Sequence, residues 1–240
     1  MAGHSKWANT KHRKERADKK KGKIFSRIMK EIISAVKQGG ADPKTNSKLR
    51  VAIQKAKEVN LPNDNIERNI KKAASSDTQD YVSLTYELYG YGGVGLIVDI
   101  LTDNKNRISS DINIAINKCG GTVAMPGAVS YNFDRKGLIK IAKSAANEDA
   151  LFLLATENGA EDFAVEDDFY VITSSVEDFV KVKEAIEEGG IKCEEAELAM
   201  VPKAWVSVSD ADADLNIALI ERLEGIDDVD AVYHNMQIEN

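Results

Sequence analysis

The sequence predicts an α+β (α/β) fold, with an N-terminal three-helix bundle followed by two α/β domains, the last a ferredoxin-like insertion. Three observations predict it. Residues 1–75 read as helical, with apolar side chains at helical spacing from Ile24 onward. Beyond residue 80, short runs of β-branched and aromatic residues alternate with helical stretches. Within 134–202 the elements run β-α-β-β-α-β, the order of a ferredoxin-like unit.

The first helix rests on Ile24, Phe25, Ile28, Ile32 and Val36, which form one stripe. Gly39-Gly40 ends it and Asp42-Pro43 turns the chain. A second helix fits 46–59, with Leu49, Ala52, Ile53, Ala56 and Val59 on one face, until Asn60 and Pro62. A third starts near Asn63, read as its cap, with Asp64 and Glu67 early and Lys71 and Lys72 late, as the helix dipole favours. Residues 1–21 carry almost no apolar face and are expected to form an arm, loosely ordered until its charge is neutralised.

A polar link at 75–80 leads into strands at 81–89 and 94–102, joined at Gly90-Tyr91-Gly92-Gly93. A helix at 106–118, a turn at Gly120-Gly121 and a strand around 128–133 follow. The insertion reads as strand 137–142, helix 147–158, strands 161–166 and 168–173, helix 176–188 and strand 191–200. After Pro202 come strand 204–209, helix 211–224 and strand 229–235, too few elements for a domain of their own. They are expected to complete the sheet opened at 81–133. The expected organisation is therefore 1–77 as a basic helical domain, 78–133 with 203–240 as a discontinuous α/β domain, and 134–202 as an acidic insertion.

The net charge of −7 conceals a polarity. Residues 1–75 hold 20 basic and 7 acidic groups, a net of +13, while the remainder holds 12 basic and 32 acidic groups, a net of −20. Such a division assigns one part of the chain to a polyanion. Cys119 and Cys193 stand far apart, which fits a reduced compartment and supplies too few ligands for zinc. No apolar run reaches the roughly 20 residues that span a bilayer, so no membrane partner is expected. The N-terminus lacks an apolar signal core, and a cytoplasmic location is expected.

Signals for catalysis are weak. The glycines at 90–95 lie between two strands, where no helix N-terminus could hold a phosphate, so they read as a hairpin turn. His4, His12 and His234 show no metal-ligand spacing, Cys119 has no partner histidine, and the carboxylates of 148–197 lie in runs typical of an exposed acidic face. No nucleophile, base and orienting group come together, so neither an enzyme nor a cofactor is expected.

The arm is the strongest feature. Lys6, Lys11, Arg13, Lys14, Arg16, Lys19, Lys20, Lys21 and Lys23 are expected to neutralise phosphates, with His4, Ser5 and His12 as polar neighbours. Trp7, set among these cations, either stacks on an exposed base or caps the helical core. Lysines outnumber arginines, which favours phosphate contact over bidentate base recognition. DNA and RNA, ribosomal RNA included, both remain open as partners. The acidic 134–202 segment suits a basic ribosomal or regulatory protein, and a monomer is expected.

Several segments together resemble the YebC family: Gly3-His4-Ser5-Lys6-Trp7-Ala8-Asn9 with Lys11-His12-Arg13-Lys14, Gly22-Lys23-Ile24-Phe25, the run from Leu61 to Arg68, Leu101-Thr102-Asp103-Asn104-Lys105-Asn106-Arg107, and Pro126-Gly127-Ala128-Val129-Ser130-Tyr131. The resemblance implies three domains, a helical N-terminal domain and no enzymatic activity. It also implies one of two roles: DNA-binding transcriptional regulation, as bacterial members are usually described, or translational activation and relief of ribosome stalling. Met125-Pro126-Gly127 is either a loop that probes a partner or a plain bend between strands.

Overall fold

The computed structural model describes residues 17–75 and 81–238, without the side chains of residues 17–23 and of Glu58. The bundle consists of α1 (Ala17–Gly39), α2 (Ser47–Glu58) and α3 (Asn63–Ala74). Ile28, Ile32 and Val36 on α1 are buried against Leu49, Ala52 and Ala56 on α2 and Ile66 and Ala73 on α3. Asn46 joins two of these helices. Its Oδ1 accepts from Leu49 N at 3.0 Å, capping α2, while its Nδ2 donates to Ala35 O at 2.7 Å and Gly40 O at 2.8 Å. A side chain at Gly39 would collide with this amide, and Gly40 takes the left-handed conformation (φ 85°) that ends α1.

Two expectations are corrected here. The arm was expected to reach residue 21, but α1 begins at Ala17. Alanine and lysine are good helix formers, and a helix nucleated by the buried stripe propagates backward without an apolar face of its own. Asn63 is the first residue of α3, not its cap; Pro62 holds the cap position, with φ −58° and ψ 134° and no side-chain hydrogen bond.

The central sheet opens with the antiparallel hairpin of β1 (Val82–Tyr89) and β2 (Gly95–Thr102). A single 3₁₀ turn at Tyr91–Gly93 connects them, with Gly92 at φ 66°. Next comes α4 (Lys105–Cys119), whose N-cap Asn104 accepts from Asn106 N and Arg107 N at 3.1 and 3.0 Å. The short β3 (Thr122–Val123) pairs with the end of β1. The strand expected around 128–133 is absent. Ser130–Asn132 forms a 3₁₀ turn, and the N–H groups of Gly127, Val129 and Ser130 bond to the Glu87 carboxylate instead of a neighbouring strand.

The insertion comprises β4 (Phe133–Ala142), α5 (Glu148–Glu157), β5 (Ala160–Val165), β6 (Phe169–Ser174), α6 (Phe179–Glu188) and β7 (Glu195–Pro202). Its sheet runs β5-β6-β4-β7, antiparallel throughout, which is the ferredoxin-like order. Ile139, Ile141, Tyr170 and Ile172 pack beneath Leu151 and Ala155 of α5 and Val182 and Ile186 of α6. The second helix starts later than expected because Ser175 and Asp178 close a turn before it: Asp178 N donates to Ser175 Oγ at 3.0 Å.

The chain then returns through β8 (Val206–Val208), α7 (Asp210–Glu224), β9 (Val229–His234) and β10 (Met236–Ile238). β9 pairs antiparallel with β2, so the central sheet reads β3-β1-β2-β9, and β10 pairs with β8 in parallel. Helices α4 and α7 cover one face, over Leu96, Val98 and Ile100; Ile97 on the other face meets Val129 and Phe133. Fully buried Asn216 of α7 pairs with the hairpin turn, accepting from Tyr91 N at 2.8 Å and donating to Tyr91 O at 3.1 Å. Among the described residues no helix is long and apolar enough to cross a membrane.

Candidate nucleic-acid interface

His4, Ser5, Lys6, Trp7, Lys11, His12, Arg13, Lys14 and Arg16 lie outside the described residues. Lys19, Lys20, Lys21 and Lys23 stand in the first two turns of α1, although their side chains also lie outside the description. The basic character continues over the described part of the bundle. Lys44, Lys48, Arg50, Lys55 and Lys57 in and before α2, and Arg68, Lys71 and Lys72 on α3, are all exposed. Those on α2 and α3 occupy the faces turned away from the apolar stripe, as an amphipathic helix requires. Lys55 pairs with Glu31 at 2.9 Å, whereas Arg50, Lys57, Lys71 and Lys72 have no ion pair among the described residues. These cations can neutralise an external anion without first breaking an internal bond.

A buried ion cluster fixes this basic bundle to the central sheet. Asp228, 5% exposed between α7 and β9, accepts from Lys30 Nζ at 2.8 Å, from Thr102 Oγ1 at 2.9 Å and from the Arg107 guanidinium. Lys30 fills its remaining donor capacity on Leu101 O (3.3 Å) and Asp227 O (3.0 Å). Arg27 adds a longer contact to Asp230 at 3.6 Å. Burial pushes the Asp228 carboxyl up, but hydrogen bonds from Lys30, Arg107 and Thr102 outweigh it and hold the group below the usual aspartate range. Arg107 is held charged by its bonds to Asp228 and Asp103. The segment Leu101–Arg107 thus supplies a carbonyl, a hydroxyl, a helix cap and a guanidinium to one junction.

The Met125-Pro126-Gly127 loop is held just as firmly. Glu87 Oε1 accepts from Gly127 N at 2.7 Å, and its Oε2 accepts from Val129 N and Ser130 N at 2.6 and 2.8 Å. Tyr89 Oη donates to Ala128 O at 2.8 Å. Gly127 takes φ 87°, a conformation open to glycine. On this fixed frame Met125 and Tyr131 stand 78% and 73% exposed. Burial tends to raise the Glu87 carboxyl, but the three backbone N–H bonds leave it below its ordinary value. Glu87→Ala is expected to remove about 2–3 kcal/mol from the loop's closed state and abolish hydrogen-exchange protection at Gly127, Val129 and Ser130. Because the folded-state carboxyl titrates low, the same protection is expected to be full above about pH 4.3, the unfolded value. It is lost as pH falls through the lower folded value. Unaltered exchange in Glu87→Ala would show that sterics, not the carboxylate, hold the loop.

Two family models cover nearly all of the chain. The TACO1/YebC protein N-terminal domain matches residues 5–76, and the TACO1/YebC second and third domain matches residues 81–236. The chain belongs to the TACO1/YebC family. It is 64% identical over 238 residues to a "probable transcriptional regulatory protein" of Protochlamydia amoebophila, covering 99% of this chain and 97% of that one. It is 58% identical to a protein of the same description from Chlamydia pneumoniae, covering 98% of this chain and all of that one. The crystal structure of a conserved hypothetical protein from Aquifex aeolicus superposes with a TM-score of 0.83 at 38% identity, covering 98% of each chain. The boundary between the two TACO1/YebC models falls in the polar link, between the bundle and β1.

Sequence reasoning picked out the cations of this TACO1/YebC chain but missed Lys30, Thr102, Arg107, Asp228 and Glu87. Lys30 looked like one more basic residue of α1. Periodicity held no signal for its burial, since Lys30 lies on the polar side of α1 with Ser26, Ser34 and Lys37, opposite the stripe of Phe25, Ile28, Ile32 and Val36.

Proposed function

We propose that this chain is a non-enzymatic, cytoplasmic regulator of gene expression that acts as a monomer by laying its basic arm and bundle on nucleic acid. One observation carries this most directly. The strong positive charge is confined to residues 1–75, and the bundle's exposed cations Arg50, Lys57, Lys71 and Lys72 lack ion pairs among the described residues. The basic residues of the arm and of the first turns of α1, from His4 to Lys23, would add to that charge, with Trp7 available to stack on a base. The descriptions of the relatives as transcriptional regulators favour DNA as the partner.

A second role, as a ribosome-associated translation factor bound to RNA, is favoured by a specific observation. The insertion carries 17 acidic and seven basic groups, and this net negative charge repels a phosphate backbone while suiting a basic protein. A ribosome presents basic protein beside RNA and could engage both ends of the chain. The Met125–Gly127 loop would then offer a rigid apolar tip to the same assembly. Crosslinking the full chain in cells, followed by sequencing of the bound DNA and the bound RNA, separates the two. A limited set of duplex sites supports the DNA role, footprints on ribosomal RNA support the translational role, and recovery of neither sinks both.

A further inference from the structure

β5 forms a free edge. Among the described residues it pairs only with β6. Glu166 N donates to Phe169 O at 2.8 Å, so by strand alternation Ala164 also turns its main chain toward β6. The main-chain groups of Phe163 and Val165 then face outward, with no strand to receive them. Natural sheets blunt such edges with lysine, proline, bulges or covering elements. Here the register shift lies between Ala160 and Asp162, leaving 162–165 regular, and the segment 160–166 contains neither lysine nor proline.

The two faces of this edge differ. Phe163 and Val165 lie on the helix side, where Phe152 of α5 meets Phe163 edge-on at 5.5 Å between centroids. Phe152 and Val165 are about half exposed, so the apolar strip is open to solvent. Asp162 and Glu166 project from the other face, as the two-residue period dictates, and exposed Asp167 and Asp168 follow. A second copy of this chain pairing edge to edge would bring like charges together. Nucleic acid would meet the net negative charge of the whole insertion.

We propose that the β5 edge accepts an extended basic segment of another protein as an added strand. Alternate apolar side chains of that strand would lie over Phe163 and Val165, and the intervening lysines or arginines beside Asp162 and Glu166. The proposal rests on the protein-facing role given to the insertion above and names where and how the contact is made.

The test titrates the full chain, free of nucleic acid, with a short synthetic peptide of alternating lysine and valine. A control peptide of equal charge has proline in place of each valine. The expected result is new exchange protection at the Phe163 and Val165 amides with the first peptide alone. Val165→Pro, which removes an outward N–H, is expected to weaken binding by about tenfold or more. Val165→Lys keeps the N–H but sets a cation against the peptide, and it decides the matter should the proline variant lose its fold. Equal binding of the proline peptide, undiminished affinity in both variants, protection elsewhere on the chain, or no binding at all overturns the proposal. Since the titration contains no ribosome and no nucleic acid, any of these results leaves the crosslinking outcome to stand by itself.

Discussion

Replacing Lys19, Lys20 and Lys21 together by Glu is expected to weaken binding to every nucleic-acid sequence alike, by roughly 100-fold or more at moderate salt. Each phosphate neutralised by a lysine releases condensed counterions, and that release supplies most of the sequence-independent affinity. Losing three such contacts should also flatten the plot of log affinity against log salt by about 2–3 units, near 0.9 per contact on a duplex and 0.7 on a single strand. The fold should survive the change. These residues stand at the start of α1, where glutamate is a good helix former and an acidic side chain complements the positive end of the helix dipole. Anisotropy titrations of wild type and variant across a salt series measure both quantities. Parallel salt plots would mean that these lysines touch no phosphate.

Asp228→Ala is expected to cost about 3–5 kcal/mol, because it leaves Lys30 buried beside two carbonyls with no carboxylate to balance its charge. The loss falls on the junction between the bundle and the central sheet, since Lys30 belongs to the first and Asp228 to the second. The bundle should therefore melt in a separate, earlier step in urea, while the core around Leu96, Val98 and Ile100 retains its protection. Lys30→Met combined with Asp228→Ala should cost much less than the two single changes added together, because neither charge is then left alone. The pH dependence has a definite sign. With its folded-state carboxyl held low, Asp228 contributes fully above about pH 3.9. That contribution disappears as the pH falls through the depressed folded value, so only acid well below pH 3.9 should reproduce the effect of the substitution. A single transition shifted by less than about 1 kcal/mol would show the junction to be held by other contacts.

This junction also bears on function. Through it the cations of the bundle keep a fixed relation to the rest of the chain. Lys30 gives up its own charge to that purpose, paired with Asp228, while Arg50, Lys57, Lys71 and Lys72 have no ion pair among the described residues. One lysine of α1 is therefore structural among neighbours expected to bind.

Features that repeat over short distances are legible in the order of residues alone. The stripe Ile28, Ile32 and Val36 marks α1, short runs of β-branched and aromatic residues mark the strands, and the order of elements from β4 to β7 marks the ferredoxin-like unit. The charge polarity is likewise a property of composition. Features that depend on partners far apart in the chain emerge only in the folded molecule. Residues 128–133 have the composition of a strand, yet Glu87, about forty positions earlier, takes their N–H groups and bends them into a turn. Lys30 reads as a surface cation until Asp228, 198 residues away, and Leu101 close over it. Hydrogen bonds within a helix or hairpin leave a periodic trace because their partners lie a fixed number of residues apart. A buried carboxylate chooses its donors by position in space, and no periodicity in the chain records that choice.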